Sequence, residues 1–279
     1  MSKSVSILIP NRFTWEAIEL TVESILKNTW YDNHRIIVCD NSMAANNRAC
    51  EPKREGIGTD DGNRLEYLRE QARNGAITLI ENKDQDKKYG HGENIKVLLK
   101  ACNTEYALLF NSTVEIIKSY WINELVDLIK TDKDLGVAKF RTGGKQGELN
   151  WISPVYWPNV MLLNMPLYKE FGNVDEDWDL RRIPLSEWKY RDIFKEYPPL
   201  KGPESKPEHV FLDTGYRLWE RLEYENPGGL RMLPLPIGYY TQFMTLFDGI
   251  DRNSHRPNHP HVVKQRTRIQ GRLRFLRCQ

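Results

Sequence analysis

The chain opens on a short apolar run, Val5 to Ile9, broken only by Ser6 and stopped by Pro10. Such a run predicts a strand buried on both faces, the pattern of a parallel sheet. Apolar positions from Trp15 to Leu26 then recur at helical spacing. Arg35 to Cys39 predicts a second strand ending at Asp40-Asn41-Ser42. Residues 43–60 are rich in Asn, Gly, Asp and Lys and read as a loop. A helix over Arg64 to Ala72, a strand over Ile77 to Ile80, a helix over Gly90 to Ala101 and a strand over Tyr106 to Phe110 continue the series. Alternation of this kind requires crossover connections. The expected class is therefore α/β, with a mainly parallel central sheet and helices on both faces. Ligands of such sheets collect at the C-terminal strand ends, here Pro10 to Arg12, Asp40 to Ser42 and Asn111 to Thr113.

After about residue 135 the alternation stops. Trp151, Trp157, Trp178, Trp188 and Trp219 are spread through a half also rich in Pro and Tyr, with an irregular stretch from Arg181 to Glu208. Their rings suit either core packing or the C–H faces of a sugar. Leu230 to Leu233 predicts one more strand.

At 279 residues, 40% apolar and with eight Trp, the sequence suits one large globular domain or two fused halves. A formal charge of +2 excludes a general polyanion binder. The charge is uneven, however: Lys264, Arg266, Arg268, Arg272, Arg274 and Arg277 lie in a C-terminal segment without an acidic residue. As an amphipathic helix this segment would meet anionic lipid, nucleic-acid phosphates, or another surface of the protein or an oligomer. Cys39 and Cys102 sit among apolar residues as reduced thiols would. The first residues are too short an apolar run for a signal peptide, and no stretch has the ~18 apolar residues of a membrane span. A cytoplasmic protein, soluble or peripheral at a membrane, is expected.

Four segments together resemble family 2 of the inverting glycosyltransferases, with the GT-A fold, over roughly residues 3–245. They are Val5-Ser-Ile-Leu-Ile-Pro10 with Thr21-Val-Glu-Ser-Ile-Leu26; Ile36-Ile-Val-Cys-Asp-Asn-Ser42; Gly90-His-Gly-Glu-Asn94; and Leu162 to Asp175, which ends in Phe171-Gly-Asn-Val-Asp175. The resemblance implies a nucleotide-sugar-binding half (1–135), an acceptor-binding and catalytic-base half (136–250) and a basic tail (251–279). Pro10, Asn11, Arg12, Asp40 and Asn41 would border the nucleotide. His91, Gly92 and Asn94, at the start of a helix, would face the phosphates or sugar, a placement that helix N–H groups favour. A simple Gly-rich turn fits the same residues.

The family's Asp-x-Asp would hold Mg²⁺ or Mn²⁺ on the diphosphate. Here Asn111-Ser112-Thr113 stands in its place, and the later metal-binding His falls near Gln242. Neutral oxygens hold a hard cation weakly. Three readings stay open: a divalent cation on Asn111, Thr113 and other groups; leaving-group charge met by Arg12, Lys87 or Lys88; or a chain without transferase activity. His255, His259 and His261 fit no regular helical face. Val210 to Arg221 reads as a helix with Asp213 near its start and resembles the family's Glu-Asp element, which makes Asp213 the candidate general base or, alternatively, a helix N-cap. Asp175, Glu176, Asp177 and Asp179 read as a solvated turn. The donor would be a nucleoside-diphosphate sugar. The acceptor would be a glycan or lipid-linked saccharide, with modified DNA as the alternative.

Overall fold

In the computed structural model the described residues are 3–11, 16–41, 60–82, 91–141, 145–146, 149–150, 155–179, 181–187, 209–212, 214–226, 228–235, 244–246 and 260–278. The strands are β1 (Val5–Asn11), β2 (His34–Asp40), β3 (Thr78–Glu81), β4 (Tyr106–Phe110), β5 (Val114–Ile116), β6 (Asp134–Arg141), β7 (Lys145–Gln146), β8 (Leu149–Asn150), β9 (Val155–Asn164), β10 (Arg181–Pro184), β11 (His209–Leu212), β12 (Arg231–Pro234) and β13 (Met244–Leu246). The helices are α1 (Glu16–Asn28), α2 (Asp60–Arg73), α3 (His91–Ala101), α4 (Trp121–Leu128), α5 (Met165–Phe171), α6 (Tyr216–Tyr224) and α7 (Pro260–Cys278).

Seven strands form one sheet in the order β12-β6-β9-β4-β1-β2-β3. Its neighbours pair in parallel except β9, which runs antiparallel to both β4 and β6. The expected α/β class is present, and the apolar run at the N-terminus is explained by burial on both faces. Val5, Ile7 and Ile9 pack on one side with Ile18, Val22 and Ile25 of α1 and Trp121 and Leu125 of α4. Leu8, Ile37 and Cys39 pack on the other with Ile95, Leu98 and Leu99 of α3 and with Trp178, Trp219 and Leu222. Trp178 and Trp219 are thus core residues. The sheet also crosses residue 135, because β6, β9 and β12 extend it.

Two polar side chains inside α1 explain part of the Thr21-Val-Glu-Ser motif. Thr21 and Ser24 donate to carbonyls of their own helix, Ala17 O and Thr21 O, and accept from the backbone N–H groups of Val114 and Ile116 at 3.1 and 3.0 Å. Asn28 Nδ2 adds a bond to Ile116 O. In this way the helix satisfies the backbone of β5, the strand that leaves the Asn111–Thr113 turn.

The structure departs from the sequence expectations at residues 209–212 and at Asp177, and it shows what one side of the basic segment packs against. Residues 209–212 form a strand paired with β10, and the helix begins only at Tyr216, after Gly215 at φ 88°. A strand-to-helix corner needs the left-handed conformation that Gly adopts without strain. The basic segment is a helix, α7, lying on α1: Ile269, Leu273 and Leu276 bury against Ala17 and Leu20. Arg266 bonds Glu16, Arg277 bonds Glu19, and Arg272 bonds the buried Glu115. Of the alternatives for this segment, contact within the protein is the one these bonds realise. Finally, Asp177 does not lie in a solvated turn. It is fully buried, accepting from Asn173 N at 2.8 Å and Tyr168 Oη at 3.1 Å, with Arg221 Nη1 at 3.4 Å. Burial pushes its carboxyl above the usual carboxylate range, against the pull of those donors.

Asp134, at the start of β6, is the opposite case. Burial alone would raise its carboxyl, but Arg231 and the N–H groups of Thr131 and Lys130 outweigh that and hold it below the usual range. A lowered folded-state pKa stabilises the fold above the unfolded-state value and loses that contribution as pH falls through the folded one. Asp134→Ala is therefore expected to cost about 2 kcal/mol in urea unfolding near neutral pH. The gap between wild type and variant should close as pH drops below about 4.

Candidate functional site

The chain runs outward from β1 through β2 to β3, then returns to place β4 on the other side of β1. The crevice outside the C-terminal ends of β1 and β4 is therefore the topological switch point, where doubly wound sheets bind ligands. Asn11 ends β1, Asp40 ends β2 in register beside it, and Asn111 follows β4.

A buried chain of hydrogen bonds joins the ends of β1 and β2 to α3. Asn11 Nδ2 donates to Asp40 Oδ1 at 2.6 Å, and the Asn41 amide donates to Asn11 O at 3.1 Å. From α3, Asn94 Nδ2 donates to Asn11 O at 3.2 Å, while Cys39 Sγ donates to Asn94 Oδ1 at 3.3 Å. The Cys39 thiol is pushed up to about 12 by burial and then by the charge of Asp40, so it remains a neutral donor. These contacts fix which way each amide points. Asp40 presents a carboxylate and Asn11 an amide at the same strand-end step, a pair able to accept from hydroxyls or a ring N–H and to donate to oxygens. Asn11, Asp40 and Asn41 are only 5%, 2% and 0% exposed.

The other expected donor-facing residues divide. Pro10 lies within β1 in parallel pairing with Cys39. His91 is exposed at the first position of α3, whereas Asn94 is buried and occupied by Cys39 and Asn11. Gly92 has no room for a side chain: a Cβ there would stand 1.9 Å from the carbonyl oxygen of Trp178 and 3.8 Å from Thr214 Cγ2. Gly92 lies in the first turn of α3, and its smallness lets the protein's own backbone approach. Lys96 bonds Glu93 and Asp179, and Lys100 bonds Asp175 at 2.6 Å, so α3 is stitched to the acidic turn. Asp177 O in turn accepts from Gly215 N. The start of α3 is thereby joined to Thr214, the residue after Asp213.

Arg12, Lys87, Lys88, Asp213, Gln242, His255 and His259 lie outside the described residues. Asn111 is half-buried and Ser112 and Thr113 are buried. Glu115, the nearest carboxylate along the chain, is buried and bonded to Arg272 Nε at 2.7 Å. Among the described residues no group of three His, Cys, Asp or Glu is placed to hold a metal ion. The neutral oxygens of Asn111 and Thr113 alone do not fit a divalent cation, which takes anionic oxygens. Sequence reasoning missed the structural use of Glu115, whose only signal was its place between two buried aliphatic residues in a strand. It also missed Cys39 as a partner of Asn94.

No protein-family model matches this chain, and no curated protein matches it. Solved structures similar to it include the mannosyltransferase PcManGT from Pyrobaculum calidifontis in complex with GDP-Man and Mn²⁺ (14% identity, TM-score 0.43, 63% of this chain and 49% of that one). They also include S. aureus TarS 1-349 in complex with UDP-GlcNAc (15%, 0.39, 60% and 47%) and GalNAc-T7 with UDP, GalNAc and Mn²⁺ (14%, 0.41, 61% and 37%). This chain spans about half the length of the first two and less of the third. Scores this low carry no functional weight.

Gly92→Ala is expected to lower stability by about 1–3 kcal/mol in urea unfolding, because its methyl group meets backbone and not a movable side chain. Gly271→Ala, in the exposed interior of α7 with nothing within 4 Å, should instead raise stability by about 0.5–1 kcal/mol.

Proposed function

We propose that the protein is an inverting glycosyltransferase that moves a sugar from a nucleoside-diphosphate sugar to a hydroxyl of a glycan or lipid-linked saccharide. The observation that carries this reading is the pairing of Asn11 with Asp40 at the switch point of the parallel sheet, where an activated nucleotide's base and ribose would be gripped. The sequence resemblance to family 2 glycosyltransferases supports it, since by that resemblance Asp40 and the strand end at Pro10 to Arg12 would border the nucleotide.

Asp213 is assigned as general base. An inverting transfer needs a carboxylate that takes the acceptor hydroxyl's proton as the oxygen attacks the anomeric carbon, opposite the departing nucleoside diphosphate. Support for the assignment lies in its neighbours. Leu212 ends β11, Thr214 is buried beside Gly92, and Gly215 turns the chain into α6. Gly215 is the N-cap of α6, and its N–H bonds the Asp177 carbonyl, so the corner is tied to the acidic turn. Leaving-group charge is assigned to cationic side chains, Arg12, Lys87 or Lys88, in preference to a metal on Asn111 and Thr113. The basis is the neutral oxygens of Asn111 and Thr113 and the bond of Glu115 to Arg272. A catalytically inactive nucleotide- or carbohydrate-binding protein is the second reading, favoured by the same missing carboxylates.

The test is turnover of a panel of nucleoside-diphosphate sugars, with and without chelator, in wild type and Asp213→Asn. We expect donor-dependent turnover that survives chelation and falls by about 10²–10⁴-fold in Asp213→Asn, with nucleotide affinity kept. Turnover unchanged in Asp213→Asn removes the base assignment. Nucleotide binding without turnover of any donor favours the inactive reading.

A further inference from the structure

Most large apolar side chains that the described residues leave exposed gather at one place, away from the strand ends just described. Leu26 and Trp30, at and after the end of α1, are 39% and 61% exposed, and Ile117 and Tyr120, between β5 and α4, are 45% and 53% exposed. Trp30 and Tyr120 meet edge to face with ring centroids 5.4 Å apart. Tyr120 does so from a left-handed backbone, φ 60°, uncommon for a residue with a side chain. The bond from Asn28 Nδ2 to Ile116 O draws the two segments together, and Lys27 Nζ donates to Leu276 O at 2.6 Å, bringing in the last turn of α7 with the half-exposed Phe275.

The helix whose last turn reaches these rings, α7, is basic on its outer side. Across α7 the inward positions Gln265, Ile269, Leu273 and Leu276 are buried, so the outward positions carry Lys264, Arg268, Arg274 and Phe275. No acidic residue occurs in α7. Because its apolar face is spent on α1, this helix cannot insert into a bilayer on its own. The exposed rings supply the apolar part that it lacks.

We propose that this face, Trp30, Tyr120, Ile117 and Phe275 with the outer side of α7, docks on an anionic lipid bilayer. Amphipathic aromatic rings favour the headgroup level, and basic side chains beside them add attraction to negatively charged lipid that salt weakens. No helix among the described residues is long and apolar enough to cross a membrane, so the attachment is to the surface. The proposal does not depend on the transferase reading.

Flotation of the full chain with phosphatidylcholine vesicles, with and without phosphatidylglycerol, tests it. The expected result is binding only to the anionic vesicles, weakened by salt. It should fall at least about tenfold in Trp30→Ser/Tyr120→Gly, while the unfolding midpoint stays within a few degrees because both side chains are exposed and Gly accepts the φ of residue 120. Lys264→Glu/Arg274→Glu should reduce binding without touching the rings. Absence of wild-type binding, binding unaffected by either double variant, binding to duplex DNA but not to vesicles, or a dimer abolished by Trp30→Ser would each overturn the proposal.

Discussion

The hydrogen bond from Asn11 to Asp40 is the interaction on which the site depends. It joins the ends of two parallel strands that the sheet itself already aligns, and it does so in a buried setting where a lone carboxylate would be costly. Asn94 and Cys39 extend the bond into α3, so three elements from separate parts of the chain meet at one strand-end step. A network of this kind, once satisfied, holds its members in one geometry. The switch point is therefore a place with fixed polar groups as well as a feature of topology.

A second constraint runs through buried carboxylates outside the site. Glu16 and Glu115 are both bonded by arginines of α7, and they lie just after the segments 12–15 and 111–113 that border the expected donor. Asp177 similarly ties α5, the acidic turn and α6, with Arg221 lying over the Phe171 ring and bonding the Phe171 carbonyl. Removing one partner from such a pair leaves a buried charge and costs more than the pair contributes. The C-terminal helix is thus part of the body that frames the strand ends.

Much of the architecture was legible in the sequence because buried parallel strands and amphipathic helices leave strong local periodicities. The strands ending at Asn11, Asp40 and Phe110 follow from them almost residue by residue. What failed or stayed open was decided by contacts that only the fold makes. Residues 209–212 are a strand because β10 pairs with them, and their apolar run alone does not separate strand from helix. For the basic tail the sequence left several partners open, because Glu16, Glu19 and Glu115 lie about 150 to 260 residues earlier along the chain. Asp177 read as solvated because an acidic run resembles a surface turn, whereas Tyr168 and Asn173 nearby in the chain and the distant Arg221 close around it in the fold. Asn11, Asp40 and Asn111 stand at strand ends, where the apolar pattern puts them, whereas the packing role of Gly92 and the bracing role of Asn94 were not visible before the backbone was known.

The most direct measurement is a crystal structure with a nucleoside diphosphate, UDP or GDP, bound. The account predicts the base and ribose at the C-terminal ends of β1 and β2, with a hydroxyl or ring N–H donating to Asp40. A nucleotide bound elsewhere on the protein, with the Asn11–Asp40 pair still buried, would contradict it.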